Sequence, residues 1–416
     1  MEVIVNRSAG LDVHRSVIVG CVIWTSPKGR LGKAVETFPT TAAGLNQLAG
    51  WLKGHAVEAV GMESTGVYWK PAYAVLEAEG SFDLIVANAQ HIKAVPGRKT
   101  DVKDAEWLAQ LVRCGLVRKS FVPAHPIRTL RDLTRYRRTL IEAQASDRAR
   151  LIKLLEATDM KLAGVLSDVL GVSGRAILEA LIEGELPAAE IAKLAKGRLR
   201  KKRAALTEAL GGTLLVHHRE LLAMQLARIN ATEATIEALD AKIAEHLEPY
   251  DTYMKLLVEM PGIDWRVAST IIAEIGVDMS MFPTAGHLAA WSGTCPGNNQ
   301  SASKTKAAPA RKGNSYLKTT LCNAAISAAR TKDSFFKAKY YALKSRRGGG
   351  RAAMAIAHKL LVCIYHIFTT GTPYRDLGRN YHDKRDTQRA AMRHVRRLQN
   401  LGFDVIIQQT AQPAAS

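Results

Sequence analysis

The sequence predicts a mixed α/β domain followed by a longer, basic, all-helical region. Three observations predict it. Short β-branched runs alternate with helical periodicity over the first ninety or so residues. Residues 175–247 carry no strand signal. The excess positive charge is gathered in the last third of the chain.

The strands come first. Residues 9–13 and 17–24 read as two strands joined by the turn His14-Arg15-Ser16. The second is short and rich in Val and Ile, which favours strand over helix. Residues 34–38 are a third strand, 57–63 a fourth and 82–87 a fifth. Between them, residues 41–52 place Leu45, Leu48 and Leu52 at helical spacing, and 68–79 form a second helix. Strands alternating with helices in this way argue for a mixed sheet. Residues 101–113 read as a helix whose exit is punctuated by Pro123 and Pro126. Residues 127–158 are again helical and carry Arg128, Arg131, Arg135, Arg137 and Arg138.

In the helical region, Leu215, Leu222, Ile229, Ile236 and Ile243 recur every seven residues. That column is one seam of a coiled coil. Its companion column holds Leu226 and Leu247 but is interrupted by Glu233 and Asp240. The pattern fits an intermolecular coiled coil and a long helix packed on its own domain equally well. The run Arg198-Leu-Arg-Lys-Lys-Arg203 is a solvated turn or a phosphate contact. A boundary falls near Pro249. Beyond it, two helical stretches flank Pro261-Gly262-Ile263, the pattern of a helix-hairpin-helix. Its glycine turn and the following helix start offer N–H groups to a phosphate without reading bases.

Composition narrows the function. The 416 residues include 47% hydrophobic and 23% charged residues, which excludes wholesale disorder and collagen-like material. Five cysteines lie scattered without a Cys-x-x-Cys, which argues against a disulfide scaffold or a cysteine zinc site. The most apolar stretch, 352–368, is interrupted by His358, Lys359 and His366, and Met1-Glu2-Val3 does not begin a signal peptide. A cytoplasmic protein with no membrane partner is expected. The net charge is +20. Residues 251–416 hold 24 Lys or Arg against 10 Asp or Glu, and between Asp278 and Asp376 the sole acid is Asp333. Such one-sided charge points to a polyanion partner.

Two constellations carry chemistry. Asp12 lies near the end of the first strand, Glu63 ends the fourth, and Asp101 and Asp104 follow the fifth. The i, i+3 spacing puts the two aspartates on one helix face. With the first and fourth strands adjacent, all four acids converge at one edge. Carboxylate oxygens suit Mg2+, and two such ions clamp a phosphodiester displacement. Each acid also has a plain structural use: Asp101 as a helix-start residue, Glu63 as a turn cap. The second constellation is the Gly- and Asn-rich loop from Trp291 through Lys306, continued by Pro309-Ala-Arg-Lys-Gly-Asn-Ser315. It contains Ser292, Ser301, Ser303 and Ser315 together with Lys304, Lys306, Arg311 and Lys312. The cations suit phosphate charge. A serine there is either turn chemistry or an activated nucleophile.

Taken together and in order, these motifs resemble the DEDD transposases of the bridge-RNA-guided insertion-sequence group, serine recombinases with a RuvC-like domain. The residues that carry the resemblance are Gly10-Leu-Asp-Val13, Met62-Glu-Ser-Thr-Gly-Val-Tyr68, Lys99-Thr-Asp-Val-Lys-Asp-Ala105, Met260-Pro-Gly-Ile263, Trp291-Ser-Gly through Gly297-Asn-Asn-Gln-Ser301, and the ending Arg396 to Val405. The resemblance implies a RuvC/RNase H-like domain over 1–158 and a coiled-coil dimerisation segment over 159–250. It further implies a transposase domain with the helix-hairpin-helix over 251–345 and a basic helical tail over 346–416. It implies that Asp12, Glu63, Asp101 and Asp104 hold Mg2+, and that Ser301 forms a covalent link to cleaved DNA. The glycine turn and the basic loop themselves make Gly262, Lys304, Lys306, Arg311 and Lys312 the expected nucleic-acid contacts. The partners that the resemblance implies are donor and target DNA, a structured guide RNA, and further copies of the chain in a homodimer assembling to a tetramer. In that assembly the acids and the serine come from different protomers. The chain departs from the family in one place. A glycine usually follows the serine within two residues, and here Ala302 and Ser303 follow Ser301. Two rival functions predict different outcomes: a Holliday-junction-resolving nuclease with Mg2+-activated water, and a nucleic-acid-binding protein without catalysis.

Overall fold

The computed structural model describes residues 2–64, 66–88, 92, 104–297, 300–301, 304–305 and 310–408. The chain divides into two compact units, Met1–Val122 and Pro123–Ser416.

The first unit is built on a five-stranded mixed sheet. Its strands are β1 (Arg7–Val13), β2 (Val17–Thr25), β3 (Leu31–Pro39), β4 (Ala59–Glu63) and β5 (Asp83–Ala87), in the order β3-β2-β1-β4-β5. β1 and β3 run antiparallel to β2, and β4 runs parallel to β1 and β5. This mixed α/β architecture is compatible with the expected RuvC-like fold. β3 begins three residues before the predicted start, because this edge strand is largely exposed and lacks a clear apolar alternation. Helices α1 (Ala42–Gly54) and α2 (Trp69–Glu79) share one core with Leu11, Ile18, Leu48, Leu52, Met62 and Leu76. Each leucine fully buried there contributes roughly 2 kcal/mol.

A third helix, α3 (Asp104–Arg113), packs on β1, β2 and β4. Gly10 and Gly61 are register partners in β1 and β4, and both lie under it. A Cβ at Gly10 would fall 2.1 Å from the Ala105 carbonyl oxygen and 2.5 Å from the Ala109 nitrogen. A Cβ at Gly61 would fall 2.5 Å from Val112 Cγ2. Glycine is required at these positions for close approach, not for backbone freedom. The buried Ser8 hydroxyl donates to the Ala109 carbonyl at 2.9 Å, and the Ile4 amide donates to the Arg113 carbonyl at 3.0 Å. The helix therefore runs antiparallel to β1, with Asp104 at the carboxyl ends of β1 and β4.

The second unit is helical. α4 (His125–Ala157) opens with Pro126 in its first turn, where the missing N–H costs nothing. It packs along α6 (Val216–Leu247), with α5 (Val172–Glu183) beside them. The seven-residue column lies mostly inside this packing: Leu222, Ile229 and Ile243 are fully buried, Ile236 is half-buried and Leu215 is exposed. The seam predicted as a coiled coil is thus occupied largely within the chain. The acids that break the companion column have partners there too. Glu233 accepts from Arg175 of α5 at 2.7 Å and from Gln144 of α4 at 3.0 Å, and Asp240 pairs with Arg137.

Besides several short helices, the unit continues with α7 (Asp251–Val258), α8 (Trp265–Ile275), α9 (Ala285–Ser292), α10 (Ser315–Ala328), α11 (Phe335–Arg347), α12 (Gly349–Thr370) and α13 (Thr387–Gln399). α12 is long and apolar enough to cross a membrane by length and composition. It packs against α7, α9, α10 and α11, and buries Ile356, Leu360, Leu361 and Ile364 completely. The hairpin between α7 and α8 turns at Gly262, whose φ is +82°. A Cβ there would sit 2.3 Å from the Ala324 carbonyl oxygen, so the predicted phosphate-binding glycine is also the point where this turn meets α10.

Candidate functional site

The first site lies at the carboxyl edge of the sheet. Asp12 and Glu63 follow Gly10 and Gly61 by two residues. The strand period of two places them on the same face as the glycines, the face that α3 covers. Asp104 opens α3 at that edge, where the positive end of the helix dipole favours a carboxylate. Three of the four predicted acids are therefore carried to one edge of the sheet, because two glycines let one helix down onto it. Asp101 lies outside the described residues.

Asp12 is partly exposed, and its Oδ2 is 3.0 Å from His14 Nε2. Among the described residues, no three His, Cys, Asp or Glu side chains are arranged as a cluster able to hold a metal. The donor set is nonetheless of the right kind for Mg2+, which takes carboxylate oxygens and retains water. Cys21, under α3, does not add a nucleophile. Burial first, then the charge of Glu106, push its thiol up to about 11.

The second site is the serine loop of the second unit. α9 is capped by the Thr284 hydroxyl and ends at Gly293 in the left-handed region. From there the chain leaves as a loop closed at its base. Pro296 bridges Ala310, the Arg311 amide donates to the Cys295 carbonyl at 3.3 Å, and a Cβ on Gly313 would lie 2.4 Å from the Gly293 nitrogen. Within it, Gln300–Ser301 and Lys304–Thr305 pair as a short antiparallel hairpin in which Ser301 and Lys304 are register partners. Arg311 and Lys312 are exposed at the base. Ser303 and Lys306 lie outside the described residues.

The fold separates serines that the sequence left equivalent. Ser292 is fully buried, donates to the Ala289 carbonyl at 3.0 Å and shares a hydrogen bond with Thr294. Ser315 is the first residue of α10, behind its cap Asn314. Ser301 alone of these three lies on the hairpin.

Sequence reasoning missed the support beneath this loop. Glu274 of α8 is completely buried. It accepts from Arg135 at 2.7 and 2.8 Å and from Asn314 Nδ2 at 2.5 Å, and lies 3.4 Å from Arg131 Nε. Burial lowers Arg131 to about 10. Burial also acts to lower Arg135, but its hydrogen bond and ion pair with Glu274 outweigh that and leave it raised. Asn314 thus ties the end of the serine loop to a buried ion cluster on α4 and α8. The one available signal was an acid inside the apolar run Ile271-Ile-Ala-Glu-Ile275.

Residues 9–159 match a family model of DEDD transposases of the IS110 type, and residues 254–341 match that of the transposase IS116/IS110/IS902 family. The first match contains the acidic edge and α4; the second contains α8, α9, α10 and the serine loop. The chain is also similar to an uncharacterized 43.6 kDa protein of insertion element IS110 from Streptomyces coelicolor, 29% identical over 155 residues. That similarity covers 35% of this chain and 36% of the relative, so it spans about a third of each.

Proposed function

Because this chain belongs to the IS110 family of DEDD transposases, we propose that it is the DNA transposase of an insertion sequence, cutting and rejoining DNA through a serine–DNA covalent intermediate. The observation that supports the reading is that β1, β4 and the start of α3, which carry Asp12, Glu63 and Asp104, share one edge of the sheet where α3 closes onto Gly10 and Gly61. With Asp101 these acids form the set that would hold Mg2+. Bound there, the ion would supply positive charge to the scissile phosphate.

The chain's own groups do the rest. The Ser301 hydroxyl attacks phosphorus and forms a new oxygen–phosphorus bond. The phosphodiester bond to the neighbouring nucleotide breaks, and the serine proton passes to the departing oxygen. The energy of the bond is kept in the ester, so a DNA hydroxyl can later displace the serine by the reverse step. Lys304, Lys306, Arg311 and Lys312 balance the charge that builds on the phosphate. The backbone around Gly262 contacts the DNA phosphates beyond the cut.

The same reading includes a guide RNA and an assembly of two, then four, chains, each pairing one protomer's acids with another's serine. The net charge of +20 supports a large polyanion load. Val216, Leu221 and Met224 on α6, and Leu215 just before it, remain exposed and support contact between copies. The two transposase matches do not favour a junction-resolving nuclease. The deciding experiment incubates the chain with donor DNA and Mg2+ and measures protein–DNA adducts on a denaturing gel. Ser301→Ala is expected to abolish the adduct while DNA binding survives. Strand exchange that persists in this variant overturns the reading.

A further inference from the structure

Two cavities adjoin near the C-terminus. The first, of about 700 Å³, lies between α11 and α13 and is lined by Lys339, Arg346, Arg385, Arg389 and Arg393. Among its described lining residues the one acid is Asp386, whose carboxylate accepts from the Arg389 amide at 3.0 Å and caps α13. The second, of about 570 Å³, lies against α12 and is lined by Phe335, Phe336, Tyr374, Tyr381 and His366. Lys339 and Arg385 line both cavities, so the cationic wall of one is the rim of the other.

Among the described lining residues, the first cavity holds cations and no aromatic ring, and the second adds the rings. In the aromatic one, Phe335 meets Phe336 and Tyr381 edge-on, and Phe336 stacks on Tyr374 with ring centres 5.7 Å apart. Lys339 Nζ sits 5.5 Å over the Phe335 ring. The nearby acid Asp376 is engaged: it accepts from the Phe335 amide at 3.0 Å, the Gly378 amide at 2.6 Å and the Tyr374 hydroxyl at 3.1 Å. Burial, then the charges of Lys359 and Arg385, lower Lys339. Its cationic neighbours are crowded together, an arrangement that a bound anion relieves.

We propose that this double cavity holds a single-stranded nucleic acid, with consecutive phosphates along Arg385 and the cations of α11 and α13 and one unstacked base in the adjoining aromatic cavity. A duplex presents its phosphates but keeps its bases stacked and paired, so it can use the first cavity and not the second. Single strands offer both, and their recognition rests on such pairing of cationic grooves with aromatic faces. The inference rests on the transposase reading, adds a strand-holding site to it, and uses residues other than the acids and the serine loop. Binding is measured without cleavage, so failure of the Ser301 chemistry and failure of this site give separate results.

The test uses the full chain and fluorescent twelve-nucleotide probes of one sequence, as single-stranded RNA, single-stranded DNA and DNA duplex, over a salt series. Arg385→Gln combined with Arg389→Gln is expected to weaken single-strand binding at least tenfold. It should also reduce the slope of log affinity against log salt by about 1.4, the loss of two phosphate contacts. Tyr381→Leu is expected to weaken single-strand binding roughly tenfold, with the slope and the duplex affinity unchanged. A 2-aminopurine in the single strand should change emission on binding to the parent protein and not to Tyr381→Leu. The stronger of the RNA and DNA arms identifies which strand occupies the site, through contacts to the 2′-hydroxyl or their absence. Unchanged single-strand affinity in both variants overturns the proposal. So does an equal loss for single strand and duplex in Tyr381→Leu while its melting temperature stays that of the parent.

Discussion

Glu274 and Arg135 form a bidentate ion pair, at 2.7 and 2.8 Å, in which the carboxylate has no solvent exposure. The pair ties α8 to α4, and through Asn314 it reaches the residue that ends the serine loop. Removing one partner of such a pair leaves the other charge buried without compensation, which costs about 3–5 kcal/mol. Glu274→Ala is therefore expected to lower the stability of the second unit by that order, read from the urea midpoint. Glu274→Gln keeps a hydrogen-bonding group and should lose less. In both variants, amide exchange at residues 311–317 should quicken ahead of the rest of the unit, because Asn314 loses its anchor. Uniform exchange across the unit would detach this cluster from the loop.

The glycine pair under α3 predicts an order of damage. Gly10→Ala meets backbone atoms of α3, which cannot move without the helix. Gly61→Ala meets the end of the Val112 side chain. Overpacking of this kind costs about 1–3 kcal/mol, with Gly10→Ala at or beyond the upper end and Gly61→Ala below it. Displacing α3 also carries Asp104 away from Asp12 and Glu63. Gly10→Ala should therefore raise the Mg2+ concentration needed for half-maximal adduct formation, measured by titration. An unchanged Mg2+ requirement at lowered stability would separate the helix position from the acidic site.

Much of this arrangement was legible in the sequence, and the remainder shared a physical cause. β1, β2, β4 and β5 were readable because their apolar runs are short and β-branched. Asp12 and Glu63 stood out as acids closing apolar strands. The meaning of Gly10 and Gly61 was not readable, since it depends on the register between two strands separated by a helix. Glu274 and Arg135 are 139 residues apart, and no local pattern links them. Serines 292 and 301 share one composition of neighbours, and only the end of α9 distinguishes the buried hydroxyl. The heptad column was a true periodic signal, but periodicity reports that a face is covered and not what covers it.

The buried serine gives a contrasting prediction. Ser292→Ala removes hydrogen bonds to the Ala289 carbonyl and Thr294, a loss of about 1 kcal/mol. Its adduct yield should match the parent protein at temperatures where both are folded. Ser301→Ala should do the reverse, keeping stability and losing the adduct. Equal adduct loss in both would mean that the loop geometry and not the Ser301 hydroxyl is what the reaction needs.

Cys21 sets an alkaline limit on the first unit. Its folded thiol is raised to about 11 from the ordinary 9.0, chiefly by burial, then by Glu106, with Lys33 opposing. The thiol form is favoured by folding, so its contribution is fully present below pH 9. It is lost as the pH rises from there through about 11. The melting temperature of the first unit should fall over that window, and Cys21→Ala should fall less steeply. Identical slopes would assign the alkaline loss to other groups.

The acids that interrupt the heptad give the last prediction. Judged as a coiled coil, Glu233 and Asp240 are flaws, and leucine at either position should improve the seam. In the folded chain they hold Arg175 and Arg137, and Arg137 retains 12% of its side-chain exposure. Asp240→Leu would strand that guanidinium against α6 with no carboxylate. The expected result is a loss of about 2–4 kcal/mol, not a gain, measured by urea unfolding. Arg137→Leu combined with Asp240→Leu removes both charges and should recover most of it, because an apolar pair of similar volume replaces the ion pair. A stabilised single variant would mean that the interrupted column packs leucine better than it packs its ion pairs.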